Sequence, residues 1–250
     1  SEQDVEDAEI HDALQFRVMF LLGHSTLSRG DTLRKLRLKA LCFSPQKVAR
    51  TRDTTVPIVT FVDKQGKTNK DGHTEDIPFT FHEDWRLCPV SEFALWLHWQ
   101  HDLSPLRSPL EFPKERLQRE WYRHRVFHPF GEPTEEIDYQ NWHLPRYQEF
   151  LKAAGISSVS KTHMHRGSAA RHLDALGAPQ RAIARLGRWA DGGHIKTAYL
   201  HNIPLASVFL ISGFSQTGED FYIARNEVMP SRELQEYARE YIFPWADECY

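Results

Sequence analysis

Residues 161–199 read KTHMHRGSAARHLDALGAPQRAIARLGRWADGGHIKTAY, and their spacing predicts two helices separated by a glycine turn. In the first helix, apolar residues follow Arg166 at the third, fourth and seventh positions, as on one buried face. In the second, Pro179 suits the first helical position and Gly187 suits the C-terminal cap. Seven lysines and arginines stand against two aspartates in this stretch, so the two helices carry a strong positive charge.

The start of the first helix predicts an anion site. His163 precedes Arg166 by three residues, so their side chains are neighbours where the helix extends back that far. Thr162 suits the N-cap, which leaves the unpaired N–H groups of the first turn beside these two side chains. An imidazole, a guanidinium and a helix N-terminus that converge on one point favour an anion, most naturally a phosphate.

The residues after the second helix extend this site. Arg188 and Trp189 follow directly on the predicted helix end at Gly187, which places them near the His–Arg pair. Tyr199 comes ten residues after Trp189, beyond a short segment with two adjacent glycines.

This order of residues resembles the C-terminal half of a tyrosine recombinase active site. The shared elements are His-x-x-Arg, then Leu-Gly with a ring-bearing residue, then a tyrosine. The wording THxxR, GRW and Y is more specifically similar to Crypton-type recombinases of fungal mobile elements. The recombinase-like DNA-binding domain of the yeast centromere-binding kinetochore subunit belongs to the same group. The resemblance is to the catalytic domain alone, without the helical N-terminal domain that usually completes the clamp around DNA.

A second part of the resemblance lies near the N-terminus. In tyrosine recombinases the first catalytic arginine occupies the entry turn of a helix, and apolar residues follow four and seven positions on. Arg29 has Leu33 and Leu36 at that spacing. The acidic residue that the family has three positions after this arginine is absent, since Thr32 stands there with Asp31 beside it. The alternative is that Arg29 is one of several surface bases on a solvated helix.

Two β-rich runs, 57–63 and 76–81, flank a polar loop with two glycines, which predicts a hairpin. Tyrosine recombinases carry a mobile lysine on such a hairpin. The GKTN wording around Lys67 resembles that of the Crypton group and favours this lysine, with Lys64 and Lys70 as competitors. The alternative is a solvated hairpin tip, where lysines are common in any case.

The resemblance implies a chemistry for these residues. Tyr199 attacks a DNA phosphodiester and forms a phosphotyrosyl link, while His163 removes the tyrosine proton. Arg29 and Arg166 hold the non-bridging oxygens, because planar guanidinium forks suit the charge that grows on the phosphorus. Lys67 protonates the departing 5′-hydroxyl. The bond energy is kept in the link, so neither ATP, nor a metal, nor any other cofactor is needed.

One position departs from the commonest pattern of the family. Trp189, or Arg188 beside it, stands where most relatives have a histidine. The resemblance implies that this residue acts as a spacer or as a hydrogen-bond donor to the phosphate.

Composition sets the class of protein. The chain has 250 residues, 40% of them apolar, enough for one large core or two modest ones. It has no apolar run long enough to span a membrane and no signal-peptide pattern. Its three cysteines form no C-x-x-C pair, which is typical of a reduced, intracellular protein without a zinc finger.

The charge is segregated along the chain. The net charge is −3, but residues 1–12 hold six acidic residues and no base, which leaves 31 bases against 28 acids elsewhere. Residues 29–50 hold seven bases and one acid, and residues 215–250 hold three bases and eight acids. The basic blocks also hold the motifs, so we expect Arg34, Lys35 and Arg188 to contact DNA, together with Lys64 and Lys70 of the hairpin loop.

These patterns predict an α+β, mainly helical domain of the tyrosine recombinase type with a small antiparallel sheet beside the site. Its expected bounds are 13–214, between an acidic flank at 1–12 and an acidic helical tail at 215–250 that packs on the body or on a partner. The expected partner is double-stranded DNA in the nucleus, bound by a homo-oligomer, with no membrane and no small-molecule substrate.

Three functional hypotheses remain open. The chain is an active Crypton-type recombinase, or a recombinase-fold protein retained only for DNA binding, as at centromeres. The third hypothesis is a simple helix-turn-helix regulator over 164–189. Its recognition helix at 179–186 would then place Arg181 and Arg185 in the major groove of DNA.

Overall fold

A computed structural model describes residues 2–47, 55–63, 75–103, 123–158, 161–189 and 203–237. Over these ranges the chain is mainly helical and contains one three-stranded antiparallel sheet, which confirms the predicted mixed, mainly helical class. The eight α-helices of these ranges are α1 Glu2–Ser25, α2 Gly30–Lys35, α3 Pro89–His98, α4 Leu144–Ala153, α5 Met164–Ala175, α6 Gln180–Leu186, α7 Leu205–Ile211 and α8 Arg232–Tyr237.

Short turns of tighter or wider helix join several of these elements. The 3₁₀ turns are Leu38–Ala40, Trp85–Leu87, Lys161–His163 and Ala224–Glu227, and the π-helical turns are Trp99–Leu103 and Tyr139–His143. Two of these turns run directly into a helix, since Tyr139–His143 leads into α4 and Lys161–His163 leads into α5.

The sheet contains the predicted hairpin and one strand that was not predicted. Its strands are β1 Leu41–Lys47, β2 Thr55–Asp63 and β3 Glu75–Phe79, in the order β1-β2-β3. The antiparallel pairing of β2 with β3 confirms the hairpin, although β3 ends two residues earlier than expected. β1 lacks a strong apolar alternation and contains Pro45, which an edge strand tolerates because one of its sides needs no ladder hydrogen bonds.

The central strand β2 separates two apolar cores. Successive side chains of a strand point to opposite faces, so Val59 and Phe61 face one core while Val56 and Ile58 face the other. The first core packs α1, α2 and α3 on the sheet, through Val18, Met19, Leu22, Leu33, Phe61, Phe79, Phe93 and Trp96. The second core packs α5, α6 and α7 on the other face, through Leu27, Val56, Ile58, Leu173, Ile183, Leu186, Val208 and Phe209.

The acidic flank predicted at residues 1–12 falls, from residue 2 onward, in the first half of α1. Its side chains are partly engaged with the body, since His11 and Asp7 are buried. Asp12 accepts a hydrogen bond from Arg146 of α4 at 2.8 Å. The helix then continues without a break to Ser25, where its apolar residues enter the first core.

The helix ends around the predicted anion site differ in detail from the sequence-based expectation. The prediction of Thr162 as N-cap is wrong: Thr162 is buried in the 3₁₀ turn, and α5 is capped by His163, whose side chain makes no capping hydrogen bond. Pro179 is the N-cap of α6 rather than its first residue. Gly187 is the C-cap of α6, as predicted.

Candidate functional site

The turn that joins α1 to α2, residues 26–29, lies at the centre of the site and is called here the Arg29 turn. Leu27 adopts a left-handed conformation (φ 52°), which costs an L-residue about 1–2 kcal/mol. The Leu27 side chain is completely buried in the second core, and such burial contributes about 1.5–3 kcal/mol, enough to offset the strain. Thr26 and Ser28 flank Leu27, and their hydroxyl oxygens share a hydrogen bond of 2.7 Å.

Arg166 of α5 reaches the Arg29 turn from the side of the second core. Its side chain is largely buried, and Nη1 donates a hydrogen bond of 2.7 Å to the carbonyl oxygen of Leu27. The guanidinium also lies over the Trp189 ring, with its carbon 4.6 Å from the ring centroid. A cation–π contact between a buried guanidinium and a partly exposed ring is worth about 0.5–2 kcal/mol. Arg166 is therefore held in one orientation by a carbonyl and an aromatic face.

Trp189 is placed by the end of α6. Its backbone N–H donates to the carbonyl of Ala184 at 2.9 Å, and its ring covers Gly187. A Cβ on Gly187 would lie 2.6 Å from the ring, so the glycine is needed for this close approach. The φ of Gly187 is −74°, and the left-handed residue at this helix end is instead Arg188, at 53°.

Arg188 turns its side chain back onto the Arg29 turn. Nη2 donates to Ser28 Oγ at 2.9 Å, and Nη1 donates to the carbonyl of Leu186 at 3.2 Å and to that of Thr26 at 3.4 Å. The residue predicted as a DNA contact thus has its guanidinium on protein atoms.

The other two predicted catalytic residues of the described chain lie beside the same turn. Arg29 itself is partly exposed, and its carbonyl accepts the N–H of Leu33 at 3.1 Å, which starts α2. His163 is exposed and follows Thr162, whose carbonyl oxygen is 3.4 Å from where a Cβ on Gly30 would lie. The start of α5 therefore adjoins the start of α2.

The structure thus gathers four of the six predicted catalytic residues around one turn: Arg29, His163, Arg166 and Trp189. Lys67 and Tyr199 lie outside the described residues, as do Lys64 and Lys70.

The two basic residues predicted from α2 are paired within the protein. Arg34 is largely buried, donates to His143 Nδ1 at 3.0 Å and to Asp31 Oδ1 at 2.9 Å, and lies over the Tyr139 ring. Lys35 is half-exposed and forms an ion pair with Asp31 at 2.9 Å. Arg34 therefore joins α2 to His143 beneath the surface, while Lys35 pairs with Asp31 at the surface.

His143 and Gly30 belong to the site but carry no sequence signal that marks them. His143 is completely buried, and burial, followed by the nearby Arg34 and His163, lowers its pKa to about 3. The neutral imidazole therefore accepts the hydrogen bond from Arg34. A Cβ on Gly30 would lie 2.6 Å from His143 Cε1, so the two pack in direct contact.

The residues of the helix-turn-helix alternative are also in place. α5 and α6 are joined by a turn with Gly177 in the left-handed region (φ 78°). Arg181 is exposed on α6 and Arg185 is half-buried.

Within the described ranges, no group of three or more His, Cys, Asp or Glu residues is arranged to hold a metal ion. None of the helices described there combines the length and apolar character needed to cross a bilayer.

Comparisons with known proteins place the chain in a family. Among solved structures, it is similar to a protein described as "FLP Recombinase-Holliday Junction Complex I", at 14% identity and a TM-score of 0.44. That match covers 77% of this chain and 42% of the recombinase chain, so this chain spans less than half of that protein, and so distant a likeness supports no statement about function. No curated protein matches the sequence significantly. Residues 3–250 match the family model described as "Centromere DNA-binding protein complex CBF3 subunit, domain 2", in agreement with the predicted resemblance to the centromere-binding subunit. Because this match spans nearly the whole sequence, the chain belongs to the family of the centromere DNA-binding protein complex CBF3 subunit, domain 2.

Proposed function

We propose that this protein is a recombinase-fold DNA-binding protein of the centromere type, which acts in the nucleus and binds a DNA phosphate at the Arg29 turn without cutting the strand. The observation that carries the proposal is that Arg166 is bonded to the turn that ends at Arg29 and lies over Trp189, while the segment that holds His163 adjoins Gly30. The family name, which refers to centromere DNA binding and to no reaction, supports binding rather than catalysis.

The charges at the turn suit a phosphate. Arg29 is partly exposed, and among the hydrogen bonds and ion pairs of the described ranges none involves its side chain. The Arg166 guanidinium is fixed on the Leu27 carbonyl, two residues before Arg29, so its positive charge adds to the attraction of this turn for a phosphate. His163 is exposed at the start of α5, which adjoins the start of α2, and we propose that its side chain adds a donor for the same phosphate.

A second candidate function is Crypton-type recombination. It is favoured by the placement of His163 beside Arg166 and by the order of Lys67 and Tyr199 in the sequence. In this reaction the Tyr199 oxygen bonds to phosphorus, and the bond from phosphorus to the 5′-oxygen breaks. The tyrosine proton passes to His163, and Lys67 supplies a proton to the leaving 5′-hydroxyl. The expected homo-oligomer, in which several copies of the chain assemble on DNA, is part of this second candidate function.

The proposal is tested by titrating a labelled DNA duplex with wild type and variants at several salt concentrations. Loss of one phosphate contact removes a charged hydrogen bond worth about 1.5–3 kcal/mol, so Arg29→Ala should weaken binding at least about tenfold. The slope of log affinity against log salt should fall by about 0.9. Arg232→Ala serves as the control, because Arg232 is exposed on α8 and pairs with Glu236.

Two results would replace the proposal. Unchanged binding by Arg29→Ala, together with loss of binding by Arg181→Ala and Arg185→Ala, would favour the helix-turn-helix regulator. In a second arm, the proteins are incubated with a suicide substrate that traps a covalent protein–DNA link. We expect no trapped species from wild type; a link that forms with wild type and not with Tyr199→Phe would establish the recombinase.

A further inference from the structure

The Arg29 turn and the end of α6 each hold one residue with a strained backbone, and an arginine side chain joins the two segments. Among the described residues, two that are not glycine have positive φ angles: Leu27 at 52° and Arg188 at 53°. Strained backbone of this kind persists where the surrounding contacts over-determine it, and it clusters at functional sites. Here the contacts come from the side chain of one strained residue to the neighbours of the other.

The guanidinium of Arg188 spans the strained residue. It donates to the carbonyl of Thr26 on one side of Leu27 and to the Ser28 hydroxyl on the other. It also donates to the carbonyl of Leu186, the last residue of α6, and so joins that helix end to the turn. Since Arg166 holds the Leu27 carbonyl itself, three consecutive residues are fixed by two arginines.

The direction of these contacts separates Arg188 from a phosphate ligand. Ser28 is completely buried, so a nitrogen 2.9 Å from its hydroxyl points into the protein at that atom. Two nitrogens held at a fixed spacing in one planar group donate to three different acceptors, whereas a lysine places its three donors on one nitrogen at the end of a flexible stem.

We infer that Arg188 is a positioning residue: it fixes the backbone of Thr26–Ser28 so that Arg29, the next residue, is presented to DNA phosphate beside Arg166. The inference rests on the proposed function, because it assigns to Arg188 the placement of a phosphate-binding arginine. On this inference Arg188 affects DNA binding through Arg29 and does not contact DNA itself. A double-mutant cycle can distinguish the two roles.

The cycle combines Arg188→Lys with Arg29→Ala and measures affinity for the same DNA duplex. Arg188→Lys keeps the positive charge but loses the fork, so we expect binding about fivefold to tenfold weaker than wild type. In the Arg29→Ala background the same change should alter affinity less than about twofold, because no placed arginine is left to lose. Ser28→Ala should reproduce the pattern with a smaller factor, although its buried hydroxyl cannot touch DNA. Arg181→Ala, on the exposed face of α6, should act by the same factor in both backgrounds.

A measurement on the free protein reports the turn directly. The amide protons of Thr26, Leu27 and Ser28 are hydrogen-bonded to carbonyls of α1 at 3.0 to 3.3 Å. Hydrogen exchange at these amides should be faster in Arg188→Lys and in Ser28→Ala than in wild type, and unchanged in Arg29→Ala.

The outcomes that overturn the inference are distinct from failure of the proposed function. If Arg188→Lys weakens binding equally with and without Arg29, Arg188 contacts DNA itself. If Arg188→Lys binds DNA like wild type, or hydrogen exchange at the turn is unaltered in this variant, Arg188 does not position the Arg29 turn. If wild type binds no duplex, or Arg29→Ala binds as tightly as wild type, the proposed function fails and the inference falls with it.

Discussion

At the scale of single residues, the site depends on the absence of a side chain at Gly30. A methyl group there would lie 2.6 Å from His143 Cε1. His143 has little room to yield, because it is completely buried and accepts a hydrogen bond from Arg34. Gly30 begins α2 directly after Arg29, so a displacement at this point moves the arginine as well.

Gly30→Ala should therefore destabilise the protein, although alanine favours a helix over glycine by about 1 kcal/mol. Overpacking of a filled site costs about 1–3 kcal/mol, and we expect the free energy of unfolding in urea to fall by that order. Gly167→Ala is the matched control, because the nearest atom to its added Cβ is Arg171 Nη1 at an ordinary 3.5 Å. That variant should gain up to about 1 kcal/mol. Equal stability of the two variants would contradict the steric explanation.

The sequence offered candidates for the residues proposed to bind phosphate, but none for the residues that pack behind them. Arg29, His163, Arg166 and Trp189 could be selected because few residue types suit a phosphate and their spacing follows a known order. His143 and Gly30 could not, because their role arises from a contact between segments far apart in the chain. Arg34 shows the converse, since a base predicted to face DNA is largely buried against His143.

At the scale of elements, the apolar pattern decided what could be predicted. β2 is apolar on both faces, between two cores, and β3 directs Ile77 and Phe79 into the first core, so the hairpin was visible in the sequence as two apolar runs. β1 has an exposed outer surface and a proline, and its pairing with β2 depends on tertiary contact rather than on its own pattern. Helix ends were less predictable, as the 3₁₀ turn before α5 shows.

Two phenylalanines in paired strands test this view of the sheet. Phe61 of β2 is 0% exposed, stacks on Phe79 and meets Phe93 edge-on, whereas Phe43 of β1 is 67% exposed. Phe61→Ala should lower the free energy of unfolding by about 3–5 kcal/mol, because it leaves a cavity in the first core. Phe43→Ala should change it by no more than about 0.5 kcal/mol. Denaturant unfolding of both variants provides the measurement, and a comparable loss from Phe43→Ala would show that β1 packs more tightly than its exposure indicates.

At the scale of the whole molecule, the buried histidines link stability to pH. Burial is the largest cause that lowers the pKa of His24 to about 4 and the pKa of His143 and His165 to about 3. Electrostatic interactions with nearby basic side chains add to the effect, namely His172 and His82 for His24, Arg34 and His163 for His143, and His24, His143 and His163 for His165. Burial raises the pKa of Tyr147, so its hydroxyl stays protonated in a 2.7 Å hydrogen bond with His165 Nε2.

The sign of the pH dependence follows from these shifts. An exposed histidine in the unfolded chain has a pKa of about 6.5, so between about pH 6.5 and pH 4 the unfolded state binds more protons than the folded state. Stability therefore falls as the pH drops through this window. From about pH 7 to pH 5.5, each of the three histidines should remove about 1 kcal/mol from the free energy of unfolding. The interval from about pH 7 to pH 5.5 lies above the range in which most carboxylates titrate, so the change over that interval reports histidines.

We expect urea unfolding of wild type to show this loss, and His143→Gln to show a loss smaller by about 1 kcal/mol over the same window, because one titrating group has been removed. The comparison uses the change with pH rather than the absolute stability, since His143→Gln also disturbs the hydrogen bond from Arg34. Phe43→Ala is the control, because its side chain is exposed and does not titrate, and it should lose as much as wild type. A free energy of unfolding that is the same at both ends of the window would mean that these imidazoles are protonated in the fold. Arg34 would then face a cation at His143 instead of a hydrogen-bond acceptor, and the hydrogen bond that joins α2 to His143 could not form as described.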